Sequence, residues 1–135
     1  MNADEIGQKL APILKERGFK KRRLTWYRHI DKITVVFNIQ KSQYSSDTWF
    51  YNYGIGINYL FDKEINSIQQ CDIIFRFDQV LDGKILQAED LDQILLYWIE
   101  KYGAVNKLKS IAREGRLPRM TTIRAKEYLF TMRDT

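Results

Sequence analysis

The sequence predicts an α+β fold in a single domain, 1–135. An antiparallel sheet of about four strands fills the N-terminal half, packed by an N-terminal helix and two to three C-terminal helices. Three observations predict this. Residues 33–60 alternate between two faces with a period of two. Residues 91–112 place apolar side chains three and four positions apart. The length of 135 residues suits one core and is short for two ordinary ones.

The first element is a helix over Asn2–Arg17. Asn2 can cap it, with Glu5 completing a capping box. Ile6, Leu10, Ile13 and Leu14 form its apolar face. Pro12 is awkward inside a helix, so a kink or a start nearer Leu10 is expected. Gly18 suits a left-handed C-terminal cap.

Two strands follow, Arg23–Ile30 and Ile33–Lys41, joined by Asp31 and Lys32. That pair lacks the favoured glycine, so a longer turn is expected. Residues 42–48 read as a polar loop. A third strand, Trp49–Leu60, has the sharpest alternation. Trp49, Tyr51, Tyr53, Ile55, Ile57 and Tyr59 face one way, and Phe50, Asn52, Gly54, Gly56, Asn58 and Leu60 the other. Asp72–Phe77 reads as a fourth strand, while residues 61–70 carry no readable pattern.

The remainder reads as helical. Leu91, Leu95, Trp98 and Tyr102 share a face, with Glu89, Asp90 and Asp92 in the first turn where the helix dipole favours acids. Gly103 ends that helix. A second runs through Val105, Leu108, Ile111 and Ala112 to Gly115, and a last one spans about Thr122–Met132.

The formal net charge is +5, unevenly spread. Residues 15–32 carry eight Lys/Arg against two acids, and residues 107–126 carry seven against one. Residues 62–100 hold nine acids against three bases. Two basic arms therefore flank an acidic middle. This permits an anionic partner, or complementarity between faces of the protein itself. Cys71 is the one cysteine, so no internal disulfide forms, and the start MNADEIG is acidic without the apolar stretch of a signal peptide. The longest apolar run, Ile94–Ile99, is far short of a bilayer span, so no membrane role is expected and the cytoplasm is the expected location.

Two constellations carry candidate function. Lys20, Lys21, Arg22 and Arg23 are four consecutive cations, with Trp26 and Tyr27 just beyond. For nucleic acid they would neutralise phosphates while one aromatic stacks on a base. They also have a structural explanation, because bases after a helix end offset its dipole and guard a sheet edge. The second constellation is the small polar face of the third strand, Asn52, Gly54, Gly56 and Asn58. Set beside Asn38 and Gln40 it forms an amide-lined floor for a small ligand or a peptide. The glycines would otherwise make room for a packed element or mark a bulge.

Other chemistries find little footing. His29 is the only histidine, and a triad would need it to meet Ser45, Ser46 or Cys71. One His and one Cys do not build a zinc site without carboxylates. There is no phosphate-cradling GxxxxGK followed by Ser or Thr, so no cofactor is implied.

The succession LKERGFKKRRLTWYR, VVFNIQKSQYS and YNYGIGI resembles the bacterial family called domain of unknown function 4304. The resemblance runs from about Leu10 to Phe77 and is weaker in the helical tail. It implies a small cytoplasmic bacterial protein of α+β fold, and it carries no established activity. The positions it marks are Phe19, Gln40, Lys41, Ser42, Asn52 and Gly54. Lys41 would hold an anionic group at the strand end, with Gln40 orienting it, or else simply solubilise that end. The first functional expectation is a non-enzymatic binding module using Asn38, Gln40, Lys41, Asn52 and Asn58 for a protein segment or small ligand. The alternative is nucleic-acid or polyanion binding through Lys20–Arg23 together with Arg113, Arg116, Arg119 and Arg124. An enzyme using carboxylates comes last.

Overall fold

The computed structural model describes residues 2–45 and 47–131, with Leu81 described by its backbone alone. Helix α1 spans Ala3–Glu16, and Asn2 Oδ1 accepts from the Glu5 N–H at 2.9 Å. The helix keeps its early start and runs on past Pro12, so of the two outcomes expected of that proline, a kink or a start nearer Leu10, the later start does not occur. An interior proline costs about 3 kcal/mol. Burying Ile6, Leu10 and Leu14 returns about 1.5–3 kcal/mol each, so the apolar face wins. The helix ends in a Schellman motif. Gly18 sits at φ 89, its N–H reaches Lys15 O, and the Phe19 N–H reaches Leu14 O at 3.0 Å.

Among the described residues the sheet has six strands rather than about four. They are β1 (Lys20–Arg22), β2 (Thr25–Ile30), β3 (Ile33–Lys41), β4 (Trp49–Ile57), β5 (Ile73–Asp78) and, much later in the chain, β8 (Met120–Thr121). Their order is β1-β2-β3-β4-β5-β8 with every neighbour antiparallel. A separate hairpin pairs β6 (Val80–Leu81) with β7 (Lys84–Ile85). Helices α2 (Ala88–Tyr102), α3 (Val105–Arg113) and α4 (Ile123–Thr131) complete the chain. The expected last residue of α4, Met132, lies outside the described residues.

Several boundaries differ from expectation for local reasons. The run Arg23–Ile30 breaks because Arg23 turns the chain at φ 57, leaving Arg22 opposite Thr25. The Asp31-Lys32 turn is as tight as two residues allow, with Ile30 opposite Ile33. Asp31 supplies the left-handed conformation at φ 52, which aspartate tolerates better than most residues. Strand β4 stops at Ile57, and Asn58–Leu60 form a short 3₁₀ turn. Asp92 does more than oppose a dipole. Arg17 donates to both its oxygens at 2.6 Å, tying the end of α1 to α2.

Strand β4 sorts the molecule into two sides. Trp49, Tyr51, Tyr53, Ile55 and Ile57 enter the main core, which the helices cover. There Tyr53 packs against Phe37 and Trp98, with ring centroids 4.9 and 5.9 Å away, and Tyr53 OH donates to Leu91 O. On the outer face Gly54 and Gly56 admit residues 61–72, which carry a 3₁₀ turn at Ile68–Gln70. A Cβ on Gly54 would lie 2.6 Å from Ile68 Cδ1 and 2.7 Å from Cys71 Sγ. A Cβ on Gly56 would lie 2.5 Å from Ile65 Cδ1. Val36, Ile65, Ile68 and Cys71 form a second, smaller core beneath this cover.

Asp72 fastens the cover's end. Its buried carboxylate accepts from the Ile57 N–H, Thr122 Oγ1 and Arg124 Nε at 3.1, 2.9 and 2.8 Å. Gly54→Val should therefore cost about 1–3 kcal/mol in urea unfolding by overpacking. It should also speed thiol labelling of Cys71. Unchanged stability and labelling would contradict the close packing of residues 61–72 on β4.

Candidate functional site

Outside the cover, the outer face of the sheet is open. The strand register lines up Arg22, Thr25, Asn38, Asn52 and Arg76, one residue from each of five adjacent strands. At about 4.8 Å per strand this row is roughly 19 Å long and has an arginine at each end. The next row outward is Gln40, Phe50 and Asp78.

The row is wired side chain to side chain. Asn38 Nδ2 donates to Thr25 Oγ1 at 2.9 Å and to Leu24 O at 3.4 Å. Asn52 Nδ2 donates to Asn38 Oδ1 at 3.0 Å and to Gln40 Oε1 at 3.1 Å. Arg76 closes the network, its Nε donating to Asn52 Oδ1 and its Nη2 to Gln40 Oε1, both at 2.9 Å. The guanidinium also lies 5.7 Å from the centre of the Phe50 ring. Asn52 is 1% exposed, so its full satisfaction is required rather than optional.

This wiring has a direction. The amide oxygens of Asn38, Gln40 and Asn52 all accept within the network. Gln40 Nε2 and Arg76 Nη1 donate to nothing among the described residues, and both side chains belong to exposed residues. The surface therefore presents unspent donors. Asp78, two residues from Arg76 on the same face, limits how much negative charge the open side accepts.

The expected site residues divide. Asn38, Gln40 and Asn52 come together, and Arg76 joins them although sequence reasoning did not name it. Its signal was legible, because Arg76 shares alternation parity with Ile74 on a strand bordering β4. Asn58 does not join. It sits past the end of β4, accepts from Thr34 Oγ1 at 2.6 Å and donates to Asp31 O at 3.4 Å. The covering segment lies between it and Asn52. Lys41 points to the helix side and pairs with Asp4 of α1 at 2.8 Å, so Gln40 does not orient it.

The four consecutive cations also divide. Lys20 and Arg22 share the outer face with Tyr27 and Thr25, and Arg22 reaches Asn66 Oδ1 at 3.4 Å. Lys21 lies on the helix side, 5.6 Å from the centre of the Trp26 ring. Arg23 occupies the turn. The second basic arm surrounds β8, at the opposite edge of the sheet. Within it Arg124 is bound to Asp72, and Arg116 pairs with Glu114 at 3.7 Å.

The candidate nucleophiles stand apart. Thr34 spends its one hydroxyl proton on Asn58, so His29 Nδ1–H donates to Thr34 Oγ1 at 2.7 Å. That pair lies at the opposite end of β3 from Ser45, and Ser46 lies outside the described residues. Cys71 is buried, and desolvation first, then the neighbouring Asp72, push its thiol far above its ordinary value of 9.0. No group of three or more metal-ligating side chains gathers among the described residues. No helix among them is long and apolar enough to cross a membrane.

Taken together, this is an α+β meander protein whose sheet is clad by helices on one face and half-covered by a loop on the other. The chain belongs to the family described as Domain of unknown function (DUF4304), whose model matches residues 10–102. The match extends beyond the resemblance read from the sequence, to the last residue of α2, and contains the whole amide row. No curated protein and no solved structure matches the chain.

Burial of Cys71 has a pH consequence. A thiol kept protonated by the fold contributes stability that is complete below its unfolded value and lost as pH rises above it. Burial raises Tyr51 and Tyr53 in the same sense from an ordinary 10.0. Melting temperature should fall from about pH 8 to pH 10, and Cys71→Ala should fall less steeply over that window. Identical slopes for the two proteins would contradict the buried thiol.

Proposed function

We propose that this protein is a non-enzymatic binding module whose open outer sheet face holds an acceptor-rich protein segment. One observation carries the reading: the network on that face consumes its acceptors internally and leaves Gln40 Nε2 and Arg76 Nη1 as outward donors. A side-chain carboxylate or a row of strand carbonyls meets that demand. The face is broad, and the cleft of about 670 Å³ beside it takes in Thr25 and Asn38 but not Gln40, Asn52 or Arg76, which favours a protein segment over a small molecule there. Phe50, half-buried beneath the guanidinium, supplies apolar contact beside the donors.

Binding without catalysis draws support from the fate of the reactive groups. The buried carboxylates among the described residues, Asp72 and Asp92, are each committed to an arginine, and the one thiol is held protonated. A reduced lone cysteine fits a cytoplasmic setting. The polyanion reading draws less support, because the two basic arms lie at opposite edges of the six-stranded sheet, about 24 Å apart across it.

The test is a titration of the isotope-labelled protein with an end-blocked oligoglutamate peptide, read by amide and side-chain NMR shifts. Shifts should centre on Gln40, Phe50, Asn52 and Arg76, and Arg76→Ala should weaken binding about tenfold or more. A parallel salt series with single-stranded and duplex oligonucleotides decides the competing reading. Tight binding of those with a steep salt slope, and none of the peptide, would overturn the proposal.

A further inference from the structure

A second surface, where α1 meets the β1–β2 hairpin, borders the amide row at Thr25 and Asn38; it carries its own inference and does not rest on the reading above. A cleft of about 670 Å³ opens between α1 and the turned end of the β1–β2 hairpin, bordered by Thr25 and Asn38. Its size is that of a small-molecule site. It exists because Gly7 has no side chain. A Cβ there would lie 2.7 Å from Leu24 Cδ2, so the hairpin tip seats directly on the helix and forms a floor.

Above that floor the rim is cationic. Lys21, Arg23 and Lys41 line the cleft against one acid, Asp4. Asp4 is already committed to Lys41 at 2.8 Å. Neither Arg23 nor Lys21 has a side-chain hydrogen bond or ion pair among the described residues, and the Lys21 ammonium lies 5.6 Å from the Trp26 ring centre. Two positive charges therefore face one opening without a counter-charge. The backbone at Arg23 adds a second observation. It sits at φ 57, a region that arginine gains nothing by adopting and that glycine takes without strain. An arginine held there presents a forked guanidinium at the mouth of the cleft.

We infer that this cleft is a binding site for a phosphate-bearing small molecule. The phosphate is clamped between the Arg23 guanidinium and the Lys21 ammonium, the fork giving paired hydrogen bonds and the lysine a point charge. The rest of the ligand lies over Leu24 and Gly7, within reach of the Gln8 amide. The Lys41–Asp4 pair closes the far wall and limits the site to one strongly anionic group.

The experiment titrates the full chain with pyrophosphate, against sulfate at matched ionic strength, by amide NMR shifts and by melting temperature. Pyrophosphate should shift Gly7 and residues 21–25 and raise the melting temperature more than sulfate does. Arg23→Gly removes the guanidinium and relieves the turn. It should leave the unliganded melting temperature no lower while weakening pyrophosphate binding about tenfold or more. Lys21→Gln, at an exposed position that leaves the turn alone, should weaken binding comparably. The inference is overturned by the absence of shifts at millimolar pyrophosphate, by shifts centred on Arg22 and Arg76, by an equal response to sulfate, or by undiminished binding in both variants.

Discussion

The absence of two side chains on one strand organises this protein. With Gly54 and Gly56 bare, residues 61–72 lie flat on β4 and lodge Ile65, Ile68 and Cys71 against backbone. Any Cβ at either position would collide with that segment at 2.5–2.7 Å, so the cover and the glycines stand or fall together. The consequence is a sheet with three environments. One face is clad by helices, half of the other is sealed by a loop, and the remaining half is open. The register then decides which side chains occupy the open half.

Those side chains are polar, and Asn52 among them is buried deeply enough that its bonding must close. Asn52 sits at the centre, reaching Asn38 and Gln40 with its nitrogen and receiving Arg76 on its oxygen. A half-satisfied network in that place would cost more than an apolar one. Arg76 completes it at the expense of part of its own donor set, and what is left over faces outward. The same packing rule that demands internal satisfaction thus sets which donors this face turns outward. Where α1 meets the β1–β2 hairpin the logic differs. The cleft beside Gly7 is a shape left by a close helix–hairpin approach, and its cations are unmatched because the hairpin tip brings more of them than α1 can answer.

The sequence revealed those parts of this arrangement that depend on local periodicity. The alternation of β3 and β4, the apolar stripe of α2 and the cap at Gly18 were each readable, because burial imposes a repeat of two or of about 3.6 on neighbouring residues. The β6–β7 hairpin was missed because the stretch reads as helical, although Asp82-Gly83 is a hairpin turn signal. Residues 61–72 were not readable, since their packing is dictated by glycines elsewhere in the chain. Strand β8 contributes only two residues and exists through its pairing with β5. Within the site, Asn38, Gln40 and Asn52 were legible as one face of two adjacent strands. Asn58 shares their parity and was lost because the strand ends one residue earlier. Lys41 was lost because its parity, odd where Gln40 is even, sends it to the helices.

The central claim is that the open face spends its acceptors inward and its donors outward, and side-chain proton exchange tests it most directly. In the unliganded protein the Asn52 amide protons and the Arg76 Nε–H should be protected and resolved by NMR, while the Gln40 amide protons exchange at the rate of a free glutamine. Asn52 protons exchanging as fast as those of Gln40 would contradict the account, because the network that shapes the surface would then not be formed.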